Sequence, residues 1–392
     1  YYTNLPDKIS DENLQKLYGK TLKTSISKLE RYRQCPFSFH LEYGLKLKDK
    51  QEFKIESIDT GSFMHEVIDS FFEIIQDENI DVKKIETDEI RKIVNRIIEE
   101  KLSTTRYYIF SSTPKFKVLT NRLKRVVTKS IEYIVLGLKQ SDFNIYGTEI
   151  EFSNSSKMKP IVVTLEDGKK VELTGKIDRI DFAEVKGEKY IRIIDYKSSA
   201  KSVEYNKILV GLQIQLVTYL DAATESEEAI PAGILYFPLL DNIVDKKRNL
   251  TDEEISAEIK KMFKMKGAIL ANVDVVRAMD NKLDTGYSDI IPVHIGKEGN
   301  ITSKIDSTLK LEEFENLQKY TKKIIKQISK EILKGKIDIR PTYDAKKTPC
   351  EYCKYHTICS FSTSIKGNEY MYIDKYDKKA VLEKIKEDLE KN

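Results

Sequence analysis

The sequence lacks any apolar run that approaches the length of a membrane span. It begins with Tyr rather than Met, and no signal-peptide pattern follows. We therefore expect a cytoplasmic protein without membrane attachment, and a piece of a longer or processed chain. Its net charge is only +4 although charged residues make up 33% of the chain. Nucleic-acid binding would thus depend on how the basic residues cluster.

The chain also lacks a complete phosphate-binding P-loop. Gly19-Lys20-Thr21 matches the end of that motif, but Leu14 stands where its first glycine is required. Nothing else in the sequence indicates a nucleotide-hydrolysing motor. With 392 residues, of which 40% are hydrophobic, the chain is long for one domain, short for three, and able to bury a core.

Cysteine is scarce, and its four occurrences are unevenly placed. Cys35 stands alone, whereas Cys350, Cys353 and Cys359 lie within ten positions. This C-x₂-C-x₅-C pattern lacks the second paired half of a zinc ribbon, but with Cys35 it makes a four-thiolate set that suits zinc or an iron–sulfur cluster. His356 is a possible substitute ligand, and buried free thiols remain the alternative. A disulfide is disfavoured because no secretory signal is present.

The stretch from Gly175 to Lys197 is typical of a β-hairpin. Two runs of apolar and β-branched residues flank Lys186-Gly187, which predicts a tight turn. In a hairpin centred on that turn, Asp178 lies directly opposite Asp195. Directly opposed like charges destabilise a strand pair, whereas a divalent cation between them would reverse the effect.

Lys197 follows Asp195 by two residues and therefore points to the same face of the predicted strand. Carboxylate oxygens bind Mg²⁺, and a lysine beside the metal can hold or activate a water molecule. The set thus indicates phosphodiester hydrolysis. The alternative is a solvated hairpin with scattered charges, and Arg179 and Asp181, on the opposite face, fit that alternative.

Three further features are ambiguous when each is taken alone. His65 lies near the start of an amphipathic helix, where a histidine is usually structural. Gln215 and Tyr219 are four apart on an otherwise apolar helix, so the pair needs polar partners or is exposed. The helix predicted over 117–138 is basic at its start, which either contacts the phosphate groups of a nucleic acid or is a solvated face. Its basic residues are Lys115, Lys117, Arg122, Lys124, Arg125 and Lys129.

The hydrophobic periodicity predicts an alternation of helices and strands. A helix is expected to start after Thr24-Ser25, and a meander with a turn at Asp167-Gly168 is expected between helical regions. The predicted helices cover 60–75, 86–101, 117–138, 209–223 and 309–333, with others near 252–280. The predicted strands cover 145–152, 161–165, 171–182, 190–194 and 234–238.

In their order, these motifs are similar to the motif series of the RecB-like PD-(D/E)XK nucleases: His65, Gly175-x-x-Asp178, Asp195-Tyr196-Lys197 and Gln215-x-x-x-Tyr219. The four cysteines resemble the iron–sulfur staple of one subset. Leu29 to Phe37 and Gly211 to Leu220 resemble the nuclease domains of AddAB-type bacterial helicase–nucleases. The resemblance covers about 20–362, without a recognised counterpart for 239–305.

The resemblance implies an α/β fold with a PD-(D/E)XK restriction-endonuclease-like core, a central mixed sheet flanked by helices, and helical additions. It implies that Asp178, Asp195 and His65 bind Mg²⁺ and that Lys197 orients or activates water. Gln215 and Tyr219 would support the site and contact substrate. It further implies a [4Fe–4S] cluster on Cys35, Cys350, Cys353 and Cys359 that joins the two ends of the domain.

It also implies exonucleolytic cleavage of a single DNA strand at a duplex end, with an AddA-type helicase–nuclease subunit as partner, during double-strand break repair by recombination. The expected organisation is a linker or strap over 1–23, a nuclease domain over 24–362 with an irregular insertion at about 241–305, and a helical tail over 363–392, most simply a solvated end.

Two alternatives remain open. One is a stand-alone nuclease of the CRISPR-adaptation kind, which shares the motifs and the arrangement of the four cysteines. The absence of an initiating Met and the resemblance of Leu29 to Phe37 and Gly211 to Leu220 to AddAB-type domains argue against it. The other is a non-catalytic module that binds DNA ends. An intact set of Asp178, Asp195 and Lys197 argues against that module, because an inactive site would not need two opposed carboxylates.

Overall fold

The computed structural model describes residues 4, 6, 8–48, 57–152, 158–241 and 251–391. Its helices and strands are, in chain order, α1 (Asp11–Tyr18), β1 (Thr21–Ser25), α2 (Ile26–Gln34), α3 (Pro36–Phe39), α4 (Ser57–Asp77), α5 (Thr87–Ser103), α6 (Pro114–Lys139), β2 (Asn144–Glu151), β3 (Ile161–Thr164), β4 (Lys170–Thr174), β5 (Lys176–Val185), β6 (Glu188–Lys197), α7 (Tyr205–Leu209), α8 (Gln215–Glu227), β7 (Ile230–Pro238), α9 (Asp252–Met262), β8 (Lys266–Leu270), α10 (Val273–Met279), β9 (Gly286–Tyr287), β10 (His294–Ile295), β11 (Thr308–Leu309), α11 (Leu311–Leu333), β12 (Thr342–Tyr343), α12 (His356–Cys359), β13 (Met371–Tyr372) and α13 (Lys378–Glu390). None of the helices in these ranges combines length with enough apolar residues to traverse a bilayer.

A mixed six-stranded sheet lies at the centre of the described fold, in the order β11-β8-β7-β6-β5-β2. Strands β6 and β7 run parallel, whereas β2, β5 and β6 form antiparallel pairs. Helix α4 packs near β2, α8 against β6 and β7, and α10 against β5 and β8. The predicted α/β class, with a central mixed sheet flanked by helices, is thus confirmed.

The hairpin formed by β5 and β6 has the predicted register. Arg179 pairs with Ile194, so the next position along the two strands brings Asp178 opposite Asp195. Lys186 and Gly187 have φ values of 54° and 84°. A two-residue turn with positive φ at both positions matches the right-handed twist of the flanking strands, which is why this pair of residues closes the hairpin.

The predicted single strand over 171–182 is wrong, because the chain changes sheets at Gly175. Strand β4 pairs with β1 and β3 in a separate three-stranded sheet, whereas β5 pairs with β2 and β6. The predicted meander is therefore two sheets. The alternating apolar pattern continues through Gly175, so the pattern does not reveal the break.

The predicted helix over 209–223 is also wrong in its first half. Helix α7 ends at Leu209, and α8 begins only at Gln215. Gly211 lies between them with a φ of 80°, a left-handed conformation that ends a right-handed helix. A Cβ at this position would lie 2.9 Å from Ile324 Cγ2, so α11 packs directly against the turn.

The helices expected near 252–280 are interrupted by a strand. Strand β8 pairs with β7 in antiparallel fashion and buries Ala268, Ile269 and Leu270. A short apolar run of this length fits a buried strand or a helix segment equally well, so periodicity alone does not separate them. The predicted irregular region contains only the short strands β9 and β10 between 281 and 305, and 242–250 lie outside the described residues.

Both ends of the described chain pack against the domain. Within the segment predicted as a linker or strap, α1 buries Leu14, and β1 adds to β4 from residue 21 onwards. The tail is not a solvated end, because Val381 and Ile385 on α13 are fully buried, and α13 packs against α7 and α11. The Lys/Glu-rich composition of the tail hid this apolar face.

Arg179 and Asp181 are not solvated charges as predicted; they form a buried ion cluster with Arg192. Asp181 lies opposite Arg192 in the hairpin and receives hydrogen bonds of 2.6 Å from Arg179 Nε and 2.9 Å from Arg192 Nε. All three residues are at most 3% exposed. Burial alone would raise the pKa of Asp181, but the two guanidinium groups outweigh it and lower that pKa below its usual range.

Replacing Asp181 by Ala should cost about 3–5 kcal/mol of unfolding free energy, because two guanidinium groups would remain buried without a counter-charge. Urea unfolding measures the loss. Glu166→Ala is the matched control, since Glu166 is also paired, at 2.6 Å with Lys330, but lies on the surface, and it should change stability little. A loss for Asp181→Ala as small as that of the control would contradict a structural role for the cluster.

Candidate active site and cysteine cluster

Three carboxylates lie in a row across β2, β5 and β6. Asp178 and Asp195 face each other in the β5–β6 hairpin. The β2–β5 register pairs Thr148 with Arg179 and Ile150 with Ile177, which brings Glu149 beside Asp178. Three adjacent acidic side chains repel one another, so this row is unfavourable unless cations compensate it.

His65 on α4 reaches into this row. Its Nδ1 lies 3.5 Å from Asp178 Oδ2 and 3.7 Å from Glu149 Oε1. Its Nε2 lies 3.0 Å from the carbonyl oxygen of Tyr196, to which an Nε2–H can donate. That bond turns Nδ1 towards the carboxylates, which is the usual way a protein orients a metal-binding histidine. Burial works against the charged imidazole, but Asp178 and Glu149 outweigh it and raise the pKa of His65 to about 10.

Glu149 is the site residue that the sequence analysis missed. Potential ligand atoms of His65, Glu149 and Asp178 all lie within 4.8 Å of one another. Glu149 has a left-handed φ of 48°, and the strand register shifts between Ile145 and Gly147. Its position in a predicted strand was visible, but the register shift that sets it beside Asp178 has no signal in the residue pattern.

Asp195 and Lys197 form a close ion pair at the end of β6. Lys197 Nζ lies 2.5 Å from Asp195 Oδ2. Asp195 is only 4% exposed, and burial, followed by the charge of Asp178, raises its pKa to about 6. The structure therefore brings Asp178, Asp195 and Lys197 together as predicted.

Gln215 and Tyr219 form the predicted pair on α8. Gln215 Nε2 donates to Tyr219 Oη at 3.3 Å. The hydroxyl lies so close to Gly175 that a Cβ built there would be 2.7 Å from it. Gly175 is therefore the position where the Tyr219 side chain meets the backbone, at the junction between β4 and β5. Gly175, three residues before Asp178, is thus in direct contact with Tyr219 of α8.

Part of this site lines a cleft of about 460 Å³. Asp195, Gln215 and Tyr219 do not belong to the lining of this cleft. Its lining combines the acidic row with basic groups that could face a phosphate: Gly61, Ser62, His65, Glu66, Arg106, Glu149, Lys176, Asp178, Tyr196, Lys197 and Ser198. Arg106 Nη1 is held by Glu66 at 2.6 Å, and Lys176 is paired with Glu149. The cleft thus presents carboxylates at its base and cations around them.

The basic start of α6 is largely on the surface. Lys115, Lys117, Arg122 and Arg125 are exposed, whereas Lys124 and Lys129 are partly covered. Arg122 is bound to Asp241 at 2.6 Å, just beyond the end of β7. That strand ends beside Lys197, since Lys197 pairs with Pro238. The basic surface therefore lies towards the end of the sheet that carries the carboxylates.

The four cysteines line one small enclosed cavity, although Cys35 is remote from the others in sequence. Cys35 is buried at the end of α2. Cys350 and Cys353 precede α12, and Cys359 is its last residue. Burial, with a smaller contribution from Cys350, raises the pKa of the Cys35 thiol to about 11. Arg31 and His356 also line the cavity. The arrangement brings all four predicted ligands to one place.

Comparison with known families gives one match over most of the chain. A family model described as the PD-(D/E)XK nuclease superfamily matches residues 23–360. This range includes the carboxylate row, His65, Lys197, the Gln215 and Tyr219 pair, and all four cysteines.

Similar curated proteins are named as the B-type subunit of an ATP-dependent helicase/deoxyribonuclease. The protein from Clostridium novyi (strain NT) is 40% identical over 397 residues, covering 100% of this chain and 35% of its own length. That from Clostridium acetobutylicum is 40% identical over 378 residues, covering 95% of this chain and 32% of its own. That from Acetivibrio thermocellus is 38% identical, covering 96% and 33%. The chain thus spans about a third of these relatives, and its resemblance to AddB-type subunits is confirmed.

Gly175→Ala should destabilise the protein by about 1–3 kcal/mol, because the new methyl group overlaps Tyr219 Oη. Tyr219→Phe in the same chain removes that oxygen and should recover part of the loss. Urea unfolding of the single and double variants measures the coupling. Gly61→Ala serves as a control, since a Cβ at Gly61 meets nothing within 4 Å. Equal losses for Gly175→Ala with and without Tyr219→Phe would show that the contact does not explain the glycine.

Proposed function

Because the chain belongs to the PD-(D/E)XK nuclease superfamily, we propose that it is a Mg²⁺-dependent deoxyribonuclease that hydrolyses phosphodiester bonds in the cleft described above. The observation that carries this proposal is the row of Glu149, Asp178 and Asp195, with His65 beside Asp178 and Glu149 and with Lys197 beside Asp195. A solvated hairpin would not be expected to hold three neighbouring carboxylates partly buried or, for Asp195, fully buried.

The residues present fit a divalent cation. Carboxylate oxygens are the ligands that Mg²⁺ prefers, and oxygens of Glu149 and Asp178 converge with His65 Nδ1 within 4.8 Å. Asp195 approaches the same row from β6 and would complete the ligand set, as the sequence analysis proposed for His65, Asp178 and Asp195. A cation bound there would polarise the scissile phosphate and lower the pKa of a water molecule. Glu149 joins this set as an additional proposed ligand.

Lys197 has a distinct task in this proposal. Its ammonium group lies 2.5 Å from Asp195 Oδ2 and lines the cleft. In this position its positive charge would stabilise the negative charge that develops on the phosphate during hydrolysis. It can also orient a water molecule by donating a hydrogen bond. Gln215 and Tyr219 hold the β4–β5 junction at Gly175 and would contact substrate on that side.

The substrate and partner are proposed from the names of the relatives, since the chain spans only about a third of them. The B-type subunit of a helicase/deoxyribonuclease would cleave a single DNA strand as a helicase separates it from a duplex end. We accordingly propose exonucleolytic cleavage of single-stranded DNA, a helicase–nuclease subunit of the AddA type as partner, a cytoplasmic location, and a role in recombinational repair of double-strand breaks. The basic surface at the start of α6 would contact the DNA backbone.

For the cysteine cavity we propose a [4Fe–4S] cluster held by Cys35, Cys350, Cys353 and Cys359. Four thiols lining one cavity form a donor set that suits such a cluster or zinc. The resemblance to the nuclease subset with an iron–sulfur staple favours the cluster over a single zinc ion.

Asp195→Asn tests the nuclease proposal. It should lower Mg²⁺-dependent cleavage of a labelled single-stranded oligonucleotide by orders of magnitude, because it removes a charged metal ligand. In EDTA its thermal stability should equal or exceed that of the wild type, because the change relieves repulsion with Asp178. Near-normal Mg²⁺-dependent cleavage by the variant would show that the site is wrong, and absence of cleavage by the wild-type chain would argue for the non-catalytic alternative.

Cys35→Ser and Cys353→Ser should share one phenotype if the cluster exists. Both should lose iron and the brown absorption of anaerobically purified protein, and both should be cut early by protease near residues 20–50 and 340–365, because metal–thiolate binding contributes to folding. Cleavage of a short single strand should fall less than DNA binding. His356→Ala is the control, since His356 lines the cavity but four thiols suffice. If Cys35→Ser keeps its iron while Cys353→Ser loses it, Cys35 is not a ligand.

A further inference from the structure

Helix α8 carries Gln215 and Tyr219, yet no residue next to it caps its first turn. The residue before it is Ile214, which has no side-chain hydrogen-bond acceptor. The cap comes instead from Glu30 on α2. Glu30 Oε1 accepts hydrogen bonds from the backbone N–H of Ile214 at 2.7 Å and of Gln215 at 3.0 Å. One carboxylate thus ties the first turn of α8 to a helix that lies 185 residues earlier in the sequence.

The contact requires a carboxyl group in a buried position, where the charged form is unfavourable. The carboxyl group is largely buried, and burial raises its pKa to about 7 in spite of the two backbone hydrogen bonds. The ammonium group of Lys201 attracts this carboxylate and the carboxylate of Asp195 repels it, so Glu30 faces the same interior region as the acidic row. The positive end of α8 partly compensates the buried charge.

Helix α2 is a rigid support for this carboxylate. Leu29 is fully buried beside it, and Tyr32 donates from its hydroxyl to the carbonyl oxygen of Lys336 at 3.1 Å. Arg31 donates to Ser38 Oγ at 2.7 Å, and Cys35 ends the helix in the cysteine cavity. The helix is therefore held on both sides of Glu30, and its carboxylate has little freedom to follow α8 if α8 moves.

We propose that Glu30 is a positioning residue for the nuclease reaction: its carboxylate fixes the start of α8 so that Gln215 and Tyr219 hold the Gly175 junction, and with it Asp178, in register with Asp195. This inference rests on the proposed nuclease function. The chain of contacts runs from Glu30 to the backbone of Gln215, from the Gln215 side chain to Tyr219 Oη, and from Tyr219 to Gly175, three residues before Asp178. Each link is a direct hydrogen bond or van der Waals contact.

The test compares Glu30→Ala with Glu30→Gln in the 392-residue chain. The Gln variant keeps an amide oxygen that can accept from both backbone N–H groups, whereas the Ala variant keeps none. We expect Glu30→Ala to lower kcat for Mg²⁺-dependent single-strand cleavage by about tenfold to a hundredfold with KM little changed, because misplacement of reacting groups acts on turnover. Glu30→Gln should restore most of this kcat.

Asn272→Ala is the matched control. Asn272 caps α10 by accepting from the N–H groups of Asp274 and Val275 at 2.9 and 3.3 Å, but α10 bears none of the proposed site residues. It should lower the thermal midpoint without changing kcat. An unchanged kcat in Glu30→Ala, an equal loss of kcat in Asn272→Ala, or a Gln variant as impaired as Ala would each overturn the proposal.

Hydrogen–deuterium exchange of residues 212–219 in metal-free protein separates this inference from the proposed function. Glu30→Ala should speed exchange there while Glu30→Gln and Asn272→Ala leave it near the wild-type rate. If the wild-type chain does not cleave DNA, the proposed function fails, and with it the catalytic part of this inference, whereas the exchange result still decides whether Glu30 holds α8. If Glu30→Ala does not fold, Glu30→Asp, which is one methylene shorter, takes its place and should show the same direction.

Discussion

Repulsion among carboxylates on one face of β2, β5 and β6 is the constraint on which the rest of the structure depends. Glu149, Asp178 and Asp195 stand side by side in a setting where like charges destabilise a sheet. His65 beside Asp178 and Glu149, and Lys197 beside Asp195, provide positive charge along the row. The arrangement is stable only if the strands are held in register by contacts that do not depend on the row itself.

Those contacts lie on the other face of the same hairpin and at its ends. Asp181 is buried between Arg179 and Arg192, and its ion pair with Arg192 joins β5 to β6 three positions along each strand from Asp178 and Asp195. The turn at Lys186-Gly187 closes the far end. Because side chains alternate between faces, an offset of three positions places the buried ion cluster and the acidic row on opposite faces of the hairpin.

Much of the site was predictable because a hairpin is a local structure. Its register follows from the turn, so the opposition of Asp178 and Asp195 and the position of Lys197 could be predicted from the chain itself. Glu149 could not, because the irregularity after Ile145 shifts the register of β2. The break of the chain at Gly175 and the start of α8 at Gln215 were likewise hidden, since a glycine in an apolar pattern has the same appearance in a strand, a helix or a turn.

The sequence by itself determined the hairpin, the amphipathic helices and the residue types that carry the chemistry, because each depends on neighbours a few positions apart. Only the tertiary structure decided which of these elements meet. It brought Cys35 to the three distant cysteines, set His65 against the row, and placed Glu30 at the start of α8. Each of these contacts joins residues that are distant along the chain, and their proximity depends on how whole helices and strands pack, which no local pattern encodes.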